Sequence, residues 1–200
     1  MRLKRLAARP DNRGFIPTGA PAVRALPPIL LPIPHRIDPE VTAGELSAHL
    51  AEMGAQALIE TLAMMDQSDP PPKPVPQDHE RATYAPKLTR ELARIDWAKD
   101  ARSIGCLIRG LDPRPGAWAE LQGVEIKLFN PRVKEPPFPG TGAPGEVLST
   151  DGSIVIATGP FQDTAGGTVE VFEVQPAGKA RMRTDEWLRG ARLNAGAKFT

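Results

Sequence analysis

A single cysteine in 200 residues excludes an internal disulfide framework and any zinc site built from several thiolates. The three histidines, His35, His49 and His79, show no metal-ligand spacing, and neither a serine nucleophile elbow nor a Walker loop occurs. The residues therefore assign no catalytic centre and no metal site. Charge of one sign is also lacking: 25 basic against 24 acidic side chains point neither to nucleic acid nor to a membrane. The longest apolar stretch, Pro27 to Pro34, is short and carries four prolines, so it cannot form a spanning helix. The start, Met1 to Arg9, is basic like the first part of a signal peptide, but no uninterrupted apolar core or small-residue cleavage site follows. An organelle transit peptide shares that arginine-rich, acid-poor character; the cytoplasm is the expected location.

Proline is abundant, 23 residues beside 18 glycines, so long irregular stretches are expected. The apolar share of 40% still supports a real core in part of a chain with room for one ordinary domain or two small ones. Charge is uneven along the chain. Residues 1–41 carry seven Lys and Arg against three Asp and Glu, residues 42–84 two against seven, and residues 85–200 sixteen against fourteen. The basic first segment shows neither helical nor strand periodicity and is expected to be poorly ordered on its own.

Thr42-Ala-Gly-Glu45 is a capping box, which predicts a helix start there. Leu46, Leu50, Met53, Ala57 or Leu58, Leu62 and Met65 follow at helical spacing and form one apolar stripe. Met53, Met64 and Met65 read as helix core packing rather than a binding groove. Pro70 to Pro76 ends that helix and is expected to act as a stiff, extended spacer; its Pro71/Pro74 spacing also fits a PxxP ligand, but a linker is the better reading. A second helix is expected from about Trp97 to Leu111, with Asp96 as its cap, Trp97 as a buried anchor and Cys106 as a small core residue. From Trp118, itself expected in the core, the period changes to two. Val124–Phe129, Gly145–Ser149, Ser153–Thr158 and Thr168–Val174 alternate as strands, with Asp151-Gly152 as a hairpin signal. A short helix capped by Thr184 and closed by Gly190 follows. Gly140-Thr-Gly-Ala-Pro-Gly145 matches a dinucleotide fingerprint in letters only, because prolines precede it and a strand follows it; it reads as a loop.

Tyr84-Ala-Pro-Lys-Leu-Thr-Arg-Glu-Leu-Ala-Arg-Ile-Asp-Trp97, then Ile108-Arg-Gly-Leu-Asp-Pro-Arg-Pro-Gly-Ala-Trp118, then Val124-Glu-Ile-Lys-Leu128, Pro144-Gly-Glu-Val147 and Val174-Gln-Pro-Ala-Gly-Lys179 occur in that order. The series resembles the linker and C-terminal domain of methionyl-tRNA formyltransferase. Leu92 and Val174 depart mildly from that family's pattern. Ile33-Pro34, Leu50-Ala-Glu-Met-Gly-Ala55 and Ala57-Leu-Ile-Glu-Thr-Leu62 resemble the last strand and helix of the family's N-terminal domain. The resemblance implies an α+β chain. Its C-terminal part is a small antiparallel, OB-like β-barrel with flanking helices, preceded by a Pro-rich linker and a remnant strand and helix of a Rossmann-like formyltransferase domain. The expected divisions are a basic, Pro-rich segment over 1–32, the remnant over 33–68, the linker over 69–95 and the tRNA-binding barrel over 96–200.

Family members transfer formyl from 10-formyltetrahydrofolate to initiator Met-tRNA. Their catalytic asparagine, histidine and aspartate, and their Ser-Leu-Leu-Pro folate motif, precede the strand aligned with Ile33. The 32 residues ahead of Ile33 contain no such motif and no Asn-x-His, so no catalytic residue carries over and no folate cofactor is expected on this chain. The resemblance thus implies a truncated member, inactive alone, with initiator Met-tRNA as partner. The expected phosphate contacts are Arg109, Arg114, Lys127, Arg132, Lys134, Lys179, Arg181 and Arg183, the last three packed into five residues. The alternative is a non-catalytic interaction module or partner-dependent subunit, with a partner chain on the apolar face of the 42–65 helix.

Overall fold

The Thr42/Glu45 box is formed in the computed structural model of the chain, which describes residues 27–134, 142–160 and 166–200. The Thr42 N–H donates to Glu45 Oε2 at 2.9 Å, and the Glu45 N–H donates back to Thr42 Oγ1 at 3.2 Å. The Thr42 N–H and, at 2.8 Å, the Thr42 hydroxyl both donate to Glu45 Oε2 and hold the Glu45 carboxyl below its ordinary pKa. Helix α1 then runs Ala43–Gln67 and buries none of its residues. Leu50, Leu58, Leu62 and Met65 are all exposed, as is Met64, which corrects the core-packing reading of the stripe. Periodicity supplies an apolar face, but burial requires an opposing element along it.

The chain divides into two compact units. In the first, residues 27–32 and Glu60–Pro86, Ile29 and Val75 exchange backbone hydrogen bonds of 2.9 and 2.8 Å, and Gln77 Nε2 donates to the Pro27 carbonyl at 2.7 Å. The proline-rich stretch is thus tied to residues 27–29 at its end, which an isolated spacer would not be. One turn of 3-10 helix, His79–Arg81, follows, capped by Asp78. The expected disordered segment lies, for residues 1–26, outside the described residues.

The second unit, Ile33–Ile59 with Lys87–Thr200, holds the sheet. Helix α2 spans Ala101–Gly110, and its cap is Asp100, which accepts from the Ser103 N–H at 2.9 Å, rather than Asp96. The start is delayed because the carbonyls of Trp97 and Lys99 both accept from the Gly159 N–H, at 2.8 and 2.9 Å. This holds the backbone at 97–99 out of the helix. Asp96 instead receives the Ala98 N–H at 3.1 Å. The α2 face turned inward is Ala101, Ile104, Gly105 and Ile108. Cys106 is exposed, off that face, which corrects its reading as a core residue.

Strands β1 (Ala117–Leu121) and β2 (Val124–Lys134) form a hairpin whose two-residue turn, Gln122-Gly123, has φ of +52° and +77°. That is the turn geometry whose twist suits flanking strands. β3 (Val147–Ser149), β4 (Ile154–Pro160) and β5 (Gly166–Pro176) follow, and β6 (Met182–Arg183) pairs with β5. The antiparallel order is β1-β2-β5-β4-β3. Between the edge strands β1 and β3 the strand ladder does not close. The C-terminal segment lies in this gap: Thr200 and Glu120 exchange backbone bonds of 2.8 and 2.9 Å, while Phe199 donates to Gly145 at 2.8 Å. Val147 donates to Ala197, also at 2.8 Å. Ile126, Leu128, Val147, Ile154, Ile156, Val169, Val171 and Val174 fill the core with Trp97, Trp118 and Phe199. The fingerprint-like loop is a turn feeding Glu146 over its described part, Gly142–Gly145; Gly140 and Thr141 lie outside the described residues.

Helix α3 covers Thr184–Ala191 and departs from expectation at both ends. Thr184 is its first residue rather than its cap, and its buried hydroxyl has no hydrogen-bond partner among the described residues. The closing left-handed residue is Arg192, at φ +48°, instead of Gly190.

Candidate nucleic-acid interface

An arginine or lysine binds phosphate with its full charge only when no carboxylate already holds it. The eight expected cations divide sharply on this criterion. Arg109 is a buried residue of α2, 7% exposed, with Nη1 3.5 Å from Glu40 and Nη2 3.8 Å from Cys106 Sγ. Lys134 Nζ stands 3.3 Å from Glu170. Burial alone would raise the Glu170 carboxyl, but hydrogen bonds from Ser153 and Lys134 outweigh it and hold the group below its ordinary value. Arg183, exposed, pairs with Asp185 at 2.9 Å. Lys127 donates to the Pro115 carbonyl at 2.8 Å, and Arg132 lies 5.0 Å over the Phe172 ring. Arg114 and Lys179 are exposed and, among the described residues, have neither a carboxylate nor a ring partner.

Arg181 is the most constrained of the set. Nη1 and Nη2 donate to the two carboxylate oxygens of Asp112 at 2.7 and 3.1 Å, and Nε donates to Glu173. The guanidinium lies 4.1 Å over the ring of Phe129, itself fully buried. Burial works to lower its pKa, yet the bonds to Asp112 and Glu173 leave it raised. Asp112 is 5% exposed while the Arg181 side chain keeps 34%, so the fork joins a buried carboxylate to a guanidinium that still touches solvent. Beside this pair opens a cavity of about 470 Å³ lined by Glu40, Glu45, Asp112 and Glu173, with Arg181 its only cation among the described residues. Its field repels phosphate.

Lys179 is set by the turn between β5 and β6. Its N–H donates to the Pro176 carbonyl and its own carbonyl accepts from Gln175 Nε2, both at 3.0 Å, while Gly178 takes φ of +74°. Sequence reasoning picked out the cations but missed the acids that hold them. Asp112 is 69 residues from Arg181, and Glu40 is 69 from Arg109. It also missed two exposed arginines, Arg90 and Arg94, which lie 4.7 and 5.3 Å over the Trp118 ring. Arg90 further pairs with Glu125, and its carbonyl accepts from Trp118 Nε1 at 2.9 Å. The core placement of both tryptophans is as expected.

A family model for the formyl transferase C-terminal domain matches residues 87–192. The chain is 40% identical over 164 residues to a methionyl-tRNA formyltransferase of Bradyrhizobium diazoefficiens, covering 80% of this chain and 48% of that protein. It is 38% identical over 172 residues to that of Ruegeria pomeroyi, covering 86% and 52% respectively. A crystal structure of a HypX variant from Aquifex aeolicus aligns with a TM-score of 0.57 at 25% identity, over 78% of this chain and 27% of that one. The chain spans about half the length of the curated relatives it matches.

Proposed function

Because the chain belongs to the family defined by the formyl transferase C-terminal domain, we propose that it holds initiator Met-tRNA and contributes no formyl-transfer residue of its own. The observation that carries this reading is the match over 87–192, supported by relatives that are methionyl-tRNA formyltransferases. In this reading the sheet, with the C-terminal segment in its gap, works as a small barrel. Arg114 and Lys179 meet RNA phosphates directly, Lys127 and Arg132 join them by giving up a carbonyl and a ring, and Arg183 joins only by leaving its exposed pair with Asp185. The remnant strand and helix around 33–68, the cytoplasmic setting and the absence of a folate site belong to the same proposal.

Backbone contacts of this kind depend steeply on salt, with a log–log slope of roughly 0.7–0.9 per phosphate. Titration with initiator Met-tRNA and an elongator tRNA at low and near-physiological salt tests it. Salt-sensitive binding with an initiator preference is expected; no binding at low salt overturns it. A second reading, a subunit that works with a partner chain, is favoured by the exposed Leu50, Leu58, Leu62 and Met65 of α1. Self-association in gel filtration would support that exposed face as a sticky surface, and a clean monomer would count against it.

A further inference from the structure

We propose that Arg181 is a positioning residue of the RNA surface rather than a phosphate contact: clamped by Asp112 and Glu173, it fixes the β5–β6 turn so that Lys179 and Arg183 face solvent together. The assignment rests on the tRNA reading above. Three observations carry it. The guanidinium spends its donors on two carboxylates and its face on the Phe129 ring. Turning to a phosphate would strand Asp112, 5% exposed, as a buried charge without its partner. The cavity beside the pair is walled by four carboxylates, so the path a phosphate would take to Arg181 is repulsive.

The clamp also spans the fold. Asp112 follows the end of α2, Glu173 and Phe129 lie on the central strands β5 and β2, and Arg181 immediately precedes β6. One side chain thereby ties the outer turn to the helix end and to the middle of the sheet. Lys179, two residues earlier and exposed, is held locally by its bonds to Pro176 and Gln175, while the Arg181 side chain, a third of it still exposed, is turned against Asp112, Glu173 and Phe129 and anchors the next part of the connection.

Simple electrostatics and this geometry make opposite forecasts for Asp112→Asn. Removing a carboxylate near a bound RNA strengthens binding if Arg181 is thereby freed to reach a phosphate. If Arg181 positions the turn, the same change loosens Lys179 and Arg183 and weakens binding. We expect Asp112→Asn and Arg181→Ala each to weaken tRNA binding by about tenfold, with the double variant no weaker than either, because both break one clamp. Lys179→Ala should lower the salt slope by about 0.9, one phosphate's share. Tighter or unchanged binding by Asp112→Asn overturns the assignment. A measurement on the unaltered protein guards against variants that fail to fold. The Arg181 Nε–Hε resonance should be protected from exchange in the free chain and should not shift when tRNA is added. A large shift on binding also overturns it. If the unaltered chain binds no tRNA, the parent reading fails and takes the turn's RNA role with it. The clamp itself is then judged separately, by Nε–Hε protection in the free protein.

Discussion

Replacing Phe199 by alanine removes a ring that is 1% exposed and lies 5.8 Å, centroid to centroid, from Trp97. A buried phenylalanine withdraws about 150–250 Å² from water, which at roughly 25 cal/mol per Å² is about 4–6 kcal/mol as an upper bound. Alanine keeps part of that, and measured Phe-to-Ala costs in cores run about 3–5 kcal/mol. Against a typical domain stability of about 5–15 kcal/mol, the loss is a large fraction of the whole. We expect the urea midpoint to fall accordingly with little change in m, and Tm to drop on the order of 10–20 °C. The ring matters because of where its backbone runs. Phe199 donates to Gly145 on the β3 side of the gap while its neighbour Thr200 pairs with Glu120 on β1. The neighbouring Lys198 is exposed, so Lys198→Ala should stay within about 0.5 kcal/mol. A Phe199→Ala cost below about 1 kcal/mol would show that the segment frays from the gap in solution, and would refute the account of how the sheet edges are covered.

Two further outcomes follow from the packing and the charges. A Cβ on Gly159 would stand 1.8 Å from the Ala98 carbonyl oxygen, a backbone atom that cannot swing aside. Gly159→Ala should therefore cost at least the upper end of the usual 1–3 kcal/mol for overpacking, read by chemical denaturation, with the largest loss of amide protection at 97–99. Glu170 has a folded-state pKa lowered below its ordinary 4.5, its desolvation outweighed by hydrogen bonds from Ser153 and Lys134. Its contribution is complete above that ordinary value and is lost as the pH falls through the lowered one. Glu170→Gln should thus be less stable than the parent at neutral pH, with the two converging in acid, as urea midpoints across ~pH 3–7 would report.

The motif series from Tyr84 to Lys179 and the alternation of Val124–Phe129 or Thr168–Val174 were legible without coordinates, as was the capping box at Thr42 and Glu45. Each depends on residues within a turn or on a strand's period of two, where local sterics and hydrogen bonding act. The change to a period of two at Trp118 falls within β1, while the Gln122-Gly123 turn that ends it went unread, because one glycine after a glutamine is a weak hairpin signal. Other features were decided only when distant segments met. Asp100 rather than Asp96 caps α2 because Gly159, about sixty residues on, takes the carbonyls of Trp97 and Lys99. Cys106 is exposed because the helix turns its Ile104/Ile108 face to the sheet. Arg109 and Arg181, read in the chain as free cations, are held by Glu40 and Asp112 from 69 residues away. A charge pair across that distance leaves no periodic trace, since its register is set by the packing of α2 on the sheet. Composition supplied the cations, and the tertiary structure chose which of them an acid holds.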